Sequence, residues 1–181
     1  KFAGDYFNEL LLDKGPLLGP YYETAFDNHF TTVRYTGRVD GSITLPKNHF
    51  VNLLASSSTY DRIRETYFND LTTLTEYPVQ QSWAQDTTTI QSLVARGTFA
   101  KSNPDKKFNY QAGFDINDET GTGKKIEGSR QEIGDYAAFF SVTWDPVRVI
   151  HPDSVVLSIQ PGVRFIYNTK YDAPVVYALS T

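Results

Sequence analysis

Residues Phe30–Leu45 read FTTVRYTGRVDGSITL. The odd positions Val33, Tyr35, Val39, Ile43 and Leu45 are apolar, with Gly37 and Gly41 among them. The even positions carry Thr32, Arg34, Thr36, Arg38, Asp40, Ser42 and Thr44. Successive side chains of a strand point to opposite faces, so this is a strand with one dry side and one wet side. The same period runs outward along the chain. Phe108, Tyr110, Ala112, Phe114 and Ile116 alternate with Asn109, Gln111, Gly113, Asp115 and Asn117. Tyr136, Ala138, Phe140, Val142 and Trp144 mark a further apolar face, and Val163, Phe165 and Tyr167 another. The pattern predicts strands over 29–45, 50–64, 87–101, 108–118, 133–145 and 154–168, with a seventh opening near Val175. Helical period is nearly absent. Only Tyr6–Asp13 (YFNELLLD) suits a short helix or packed loop, and 1–28 reads as an external loop or irregular lead-in.

These strands are long against the usual mode of about 5–6 residues. Their connections also differ by side. Pro46–His49 and Ser102–Lys107 are short turns built on Pro, Asn and Asp, and Pro146–Asp153 is somewhat longer. Glu65–Asp86, Glu119–Glu132 and Thr169–Pro174 are polar connections on the other side. Phe50, Phe108 and Trp144 flank the short-turn side, while Tyr35, Tyr136 and Tyr167 lie toward the long-loop side. Aromatic rings favour headgroup depth. The expected fold class is all-β, an antiparallel transmembrane β-barrel over 29–181. A complete eight-stranded barrel with a structural or adhesive role and a soluble β-sandwich binding module are the competing readings. The first requires its first and last strands to pair. The second requires Val33, Tyr35 and Val39 to pack against Tyr110 and Phe114 in a core.

Composition narrows the function classes. A net charge of -4 lacks the basic field of a nucleic-acid binder. With no Cys there is no disulfide scaffold, thiolate metal site or Cys nucleophile. A mean hydropathy of -0.40 and the lack of any apolar run near 18 residues exclude a membrane-spanning helix, but not a barrel.

Several strings carry a family resemblance. The most specific is Leu157–Pro174, LSIQPGVRFIYNTKYDAP. Phe26–Leu45, Tyr60–Leu71 (YDRIRETYFNDL), Gly97-Thr98, Ala112–Asn117 (AGFDIN) and Gly134–Phe140 (GDYAAFF) follow in matching order. Together they resemble the barrel of TonB-dependent outer-membrane receptors, in the Bacteroidetes-type branch of siderophore, colicin and haem receptors. The resemblance implies a portion of a barrel of about 22 strands. It also implies a plug domain, TonB as energising partner, outer-membrane lipid around the wall and a small chelate as ligand. Localisation would be the outer membrane of a Gram-negative bacterium, with no enzymatic step and no cofactor. Two departures are Ser56-Ser57-Ser58, which interrupts a strand, and Val149–Ser154 (VIHPDS), long for a periplasmic turn.

No catalytic or metal constellation stands out. His49 and His151 sit in or beside short turns and read as solvated. His29 reads as a rim residue at a strand start, with a haem or metal ligand role as the alternative. Asp61 and Glu65 lack a spacing that selects acid–base chemistry. Gly121-Thr122-Gly123-Lys124-Lys125 has the wrong glycine spacing for a phosphate loop and reads as a flexible external loop. Arg34, Arg38, Arg96 and Arg164 share the polar face and are expected to face a lumen. They would either serve the plug and substrate path or pair with strand carboxylates such as Asp40 and Asp115. Tyr67, Phe68, Tyr77 and Trp83 on Glu65–Asp86 are the candidate ligand contacts. Packing the loop onto its neighbours is the alternative for them.

Overall fold

The computed structural model describes residues 1–103, 106–147 and 157–181. The described residues form one antiparallel sheet of ten strands. These are β1 (Phe2–Asp13), β2 (Leu17–Leu18), β3 (Thr24–Leu45), β4 (His49–Asp70), β5 (Thr75–Pro78), β6 (Gln85–Lys101), β7 (Phe108–Gly123), β8 (Arg130–Val147), β9 (Leu157–Asn168) and β10 (Val176–Ser180). The main path runs β1-β3-β4-β6-β7-β8-β9-β10, with β2 on β3 and β5 on β4. The all-β, antiparallel expectation holds. The sheet is not closed: β1 and β10 are its two edges, so first and last strands do not pair. Among the described residues it also has no second layer. The substantial contacts between elements run between hydrogen-bonded or chain-adjacent neighbours, which leaves no sandwich core.

The register assigns the side chains of the paired rows to a face. Val39 pairs with Ala55, Ala55 with Ala95, Ala95 with Ile116, Ile116 with Tyr136 and Tyr136 with Tyr167. One face is therefore apolar from β1 to β10. It is also the open face: Ile43 is 59% exposed, Leu53 52% and Phe165 55%. Among the described residues the buried apolar side chains are only Ala25 and Ala84, and no large side chain is fully buried. Buried positions are instead polar: Asp27, Thr32, Thr66, Asp86 and Asn168. A soluble chain of this length buries large apolar side chains. This one turns them outward.

The apolar face is bounded by aromatic pairs at two levels. Tyr6 meets Tyr35 at 5.1 Å between centroids, and Tyr136 meets Tyr167 at 6.1 Å, both toward the long connections. Phe108 stacks on Trp144 at 6.1 Å, and His49 on Phe99 at 5.5 Å, both toward the turns. Tyr35–Leu45 spans roughly 34 Å along β3, at about 3.4 Å per residue. The band is also slanted. The hydrogen-bonded row through Tyr35 runs Thr59, Gln91, Thr120 and Glu132, whereas Tyr136 lies on the row through Val39. The upper aromatics thus step down about four residues between β3 and β8, a slope of roughly 35° to the hydrogen-bonding direction.

Some expectations need correction. Tyr6–Asp13 is not helical but lies inside β1, paired to β3 from Phe2↔Val39 to Asp13↔Asn28. Eight residues make a marginal helix alone, and the free edge of β3 supplies a full ladder of partners. The polar segments 65–70 and 119–123 are not loops. β4 and β7 run on through them, so the connections beyond are shorter than alternation suggests. Ser56–Ser58 leaves β4 in unbroken register with both neighbours. Phe50 faces the polar side, opposite Thr44 and Ala100. Pro104, Asp105 and the segment 148–156, with His151 and the whole VIHPDS string, lie outside the described residues.

Candidate functional site

The polar face is where the chain gathers charge. Even positions of β3, β4, β6 and β9 and odd positions of β7 and β8 project there. This follows from the pairings Asp40↔Leu54, Leu54↔Arg96, Arg96↔Asp115, Asp115↔Ala137 and Ala137↔Ile166. Arg34, Arg38, Arg96 and Arg164 all lie on this face, as the alternation predicts. Recesses of about 610, 380 and 510 Å³ open on it.

The four arginines do not converge on one point. Arg96 and Arg164 meet at Asp115. The Arg96 Nη2 donates to Asp115 Oδ2 at 2.9 Å and its Nε to Oδ1 at 3.4 Å, while Arg164 Nη2 donates to Oδ2 at 3.2 Å. Two guanidinium groups thus share one carboxylate. The 510 Å³ recess beside them is lined also by Asn117, Asp135 and Tyr171. Arg38 bonds Asp40 at 3.3 Å. Arg34 has its guanidinium 5.9 Å from the Phe7 ring centroid. Ion pairing with Asp40 and Asp115 thus accounts for three of the four. These pairs are part-exposed, so each contributes modestly to stability and chiefly fixes the side chains.

The loop-end aromatics fall on two faces of an extended hairpin. Tyr67 pairs with Asp27, and Phe68 with Phe26 and Tyr77. On the polar side Phe26 packs edge-on against Phe68 at 5.5 Å and Trp83 at 6.0 Å. On the apolar side Tyr67 lies 4.4 Å from the His29 ring, and His29 Nε2 is 3.0 Å from Glu76 Oε1. Burial first, and then the Glu65 charge, push the Tyr67 hydroxyl above its ordinary value. Tyr77 and Trp83 stay exposed. The structure therefore separates Tyr67 from the other three candidates.

Buried polar groups anchor this end. Asp27 accepts from the Gly15 amide at 3.0 Å and from Asn69 Nδ2 at 3.0 Å. A Cβ on Gly15 would run into the Phe26 carbonyl, so glycine permits the close approach. Lys124 Nζ donates to the carbonyls of Ser82 at 3.1 Å and Gln85 at 2.9 Å. The segment expected as a flexible external loop is thus docked: Gly121 and Gly123 belong to β7, and Lys124 clasps the turn before β6. His49, expected as a solvated turn residue, joins the lower aromatic level. Its Nε2 lies 3.1 Å from the Tyr110 hydroxyl and its Nδ1 2.9 Å from the Pro46 carbonyl.

Asp70 closes the turn after β4 by accepting the amides of Thr72 at 2.9 Å and Thr73 at 3.2 Å. The Thr73 donor first, and then Thr72, hold its carboxyl below the ordinary carboxylate value. A depressed folded pKa gives stability that is complete above the unfolded value of about 3.9 and is lost as pH falls through the folded one. Amide protection at Thr72 and Thr73, followed by hydrogen exchange, is expected to hold down to about pH 4 and fall below it. In Asp70→Asn, which cannot titrate, the same amides are expected to show no such step. Unchanged acid behaviour in the variant would contradict the assignment.

Arg62 and Arg64 were not among the sequence candidates, yet both lie on the polar face, opposite Thr32 and Phe30. Their parity with Leu54 and Ser58 was the available signal. No protein-family model matches the chain, and no curated protein and no solved structure matches it.

Proposed function

We propose that this sheet is part of the wall of a TonB-dependent receptor in the outer membrane of a Gram-negative bacterium, importing a scarce ligand such as an iron–siderophore, haem or cobalamin. The observation that carries the reading is the slanted, outward apolar band with aromatic pairs at both margins, backed by an ion-paired opposite face. Lipid is the solvent that makes such a face stable, since outward apolar and inward polar residues alternate in membrane barrels. The edges of β1 and β10 would expose unpaired backbone groups, which cost several kcal/mol each in hydrocarbon. Each edge therefore pairs with further strands, toward a barrel of about 22. The plug domain and TonB enter as partners by the sequence resemblance. The long-connection end, with Tyr77 and Trp83 exposed, faces outward and meets the ligand first. The chemistry is binding and gated passage.

Uptake tests the reading. Cells lacking the full-length protein are expected to lose accumulation of one labelled ligand among an iron–siderophore, haem and cobalamin, and deletion of TonB should cause the same loss. Normal accumulation of all three in the deletion strain, under limitation for each, would contradict the receptor assignment.

A further inference from the structure

A second cationic recess lies nearer the loop end of the polar face. It has a volume of about 380 Å³ and is lined by Phe30, Tyr60, Arg62, Arg64, Asp86, Thr88 and Lys125. Its arginines differ from Arg38, Arg96 and Arg164 in having no carboxylate partner among the described residues. The Arg62 guanidinium sits 4.7 Å from the Phe30 ring centroid. Ring stacking fixes the plane of a guanidinium and leaves its edge donors free. Arg64 spends one donor on the Trp83 carbonyl at 2.7 Å, and its Nε is buried without a partner. Lys125 Nζ is 3.6 Å from Asp86 Oδ2. Asp86 is only 8% exposed, yet its Oδ1 has no hydrogen-bond donor. Buried polar groups are normally satisfied, and exceptions call for a missing partner.

Three cations against one carboxylate call for an anion. A buried acceptor among them calls for a hydroxyl beside that anion. We propose that this recess is a binding subsite for a hydroxy-carboxylate ligand. Arg62 and Arg64 take the carboxylates through their free donors, and Asp86 Oδ1 accepts from the hydroxyl. Planar guanidinium edges match carboxylates two bonds at a time. The biological meaning rests on the receptor reading, because the recess then lies on the inward path below the outer loops.

Titration calorimetry on the full-length protein in detergent tests this, with malate as probe. Saturable malate binding is expected, weakened tenfold or more in Arg62→Gln/Arg64→Gln. Arg130→Gln, which removes one exposed charge outside the recess, should leave it unchanged. Succinate, the same dianion without the hydroxyl, is expected to bind at least fivefold more weakly, and Asp86→Ala should erase that difference. Wild-type protein without saturable binding, or equal weakening in Arg130→Gln, overturns the subsite. Equal affinity for the two dianions overturns the role of Asp86. Quenching of Trp144 by brominated lipid, read on the same variants in vesicles, keeps the two questions apart. Insertion without malate binding removes the subsite alone, and binding without insertion removes the membrane reading.

Discussion

Phe140→Arg is expected to destabilise the inserted protein by about 2–4 kcal/mol, the range for a cation at mid-depth on the lipid face of a barrel. Phe140 lies between Tyr136 and Trp144 on the apolar face and is 47% exposed. In a water-facing sheet the same change would fall within about ±0.5 kcal/mol, because surface substitutions away from special features are nearly neutral. The two accounts therefore differ by several-fold on one side chain. Gln111→Arg supplies the comparison. Gln111 pairs with Ser141 on the polar face of the same sheet. There an added arginine is expected to shift the folding midpoint little. Urea titration of folding into phospholipid vesicles, followed by tryptophan fluorescence, measures both.

The second large effect is steric. Gly113 stands where β6 and β7 approach closely. A Cβ there would collide with the Gly97 carbonyl oxygen and with the Phe139 ring that covers it from β8. Gly97 is covered in turn by the Phe114 ring on the opposite face. A ring laid over a cross-strand glycine fills the space that the missing side chain leaves. Gly113→Val is expected to destabilise the sheet by about 3 kcal/mol, the upper end for overpacking, because a ladder carbonyl cannot move aside as a side chain can. Adding Phe139→Ala should recover only the ring's share, leaving the backbone collision. Full recovery in the double variant, in the same vesicle titration, would place the conflict in the side chain alone.

What could be read beforehand follows from the physics of each segment. Where one face of a strand is apolar, as in Phe30–Leu45, parity declares itself and the register follows. Past Asp118 β7 is polar on both faces, and past Arg64 β4 carries its aromatics Tyr67 and Phe68 at adjacent positions among polar residues, so the period vanishes while the ladder continues. That is why 65–70 and 119–123 looked like loops. Leu10, Leu11 and Leu12 break the alternation in the other direction. Only the unpaired edge of β3 decides that this segment is extended. Phe50 and His49 show a subtler gap. Nearness to a turn suggested a solvated His49 and an interfacial Phe50, but parity sends His49 to the apolar face and Phe50 to the polar one. The shared polar face of Arg34, Arg38, Arg96 and Arg164 was legible by parity. The convergence of Arg96 and Arg164 on Asp115 was not, because it depends on three strands meeting in register. Lys125 beside Asp86 joins segments far apart in sequence and left no local signal.

The central claim is that the apolar face meets lipid. The chain contains no Cys, so single cysteines can be introduced and spin-labelled one at a time. Labels at positions 163 to 167 of β9 in the reconstituted full-length protein report accessibility to oxygen, which partitions into lipid, and to a water-soluble nickel chelate. The account predicts period 2: oxygen dominant at Val163, Phe165 and Tyr167, and the nickel chelate dominant at Arg164 and Ile166. Uniform accessibility along the strand, or the opposite phase, would contradict it.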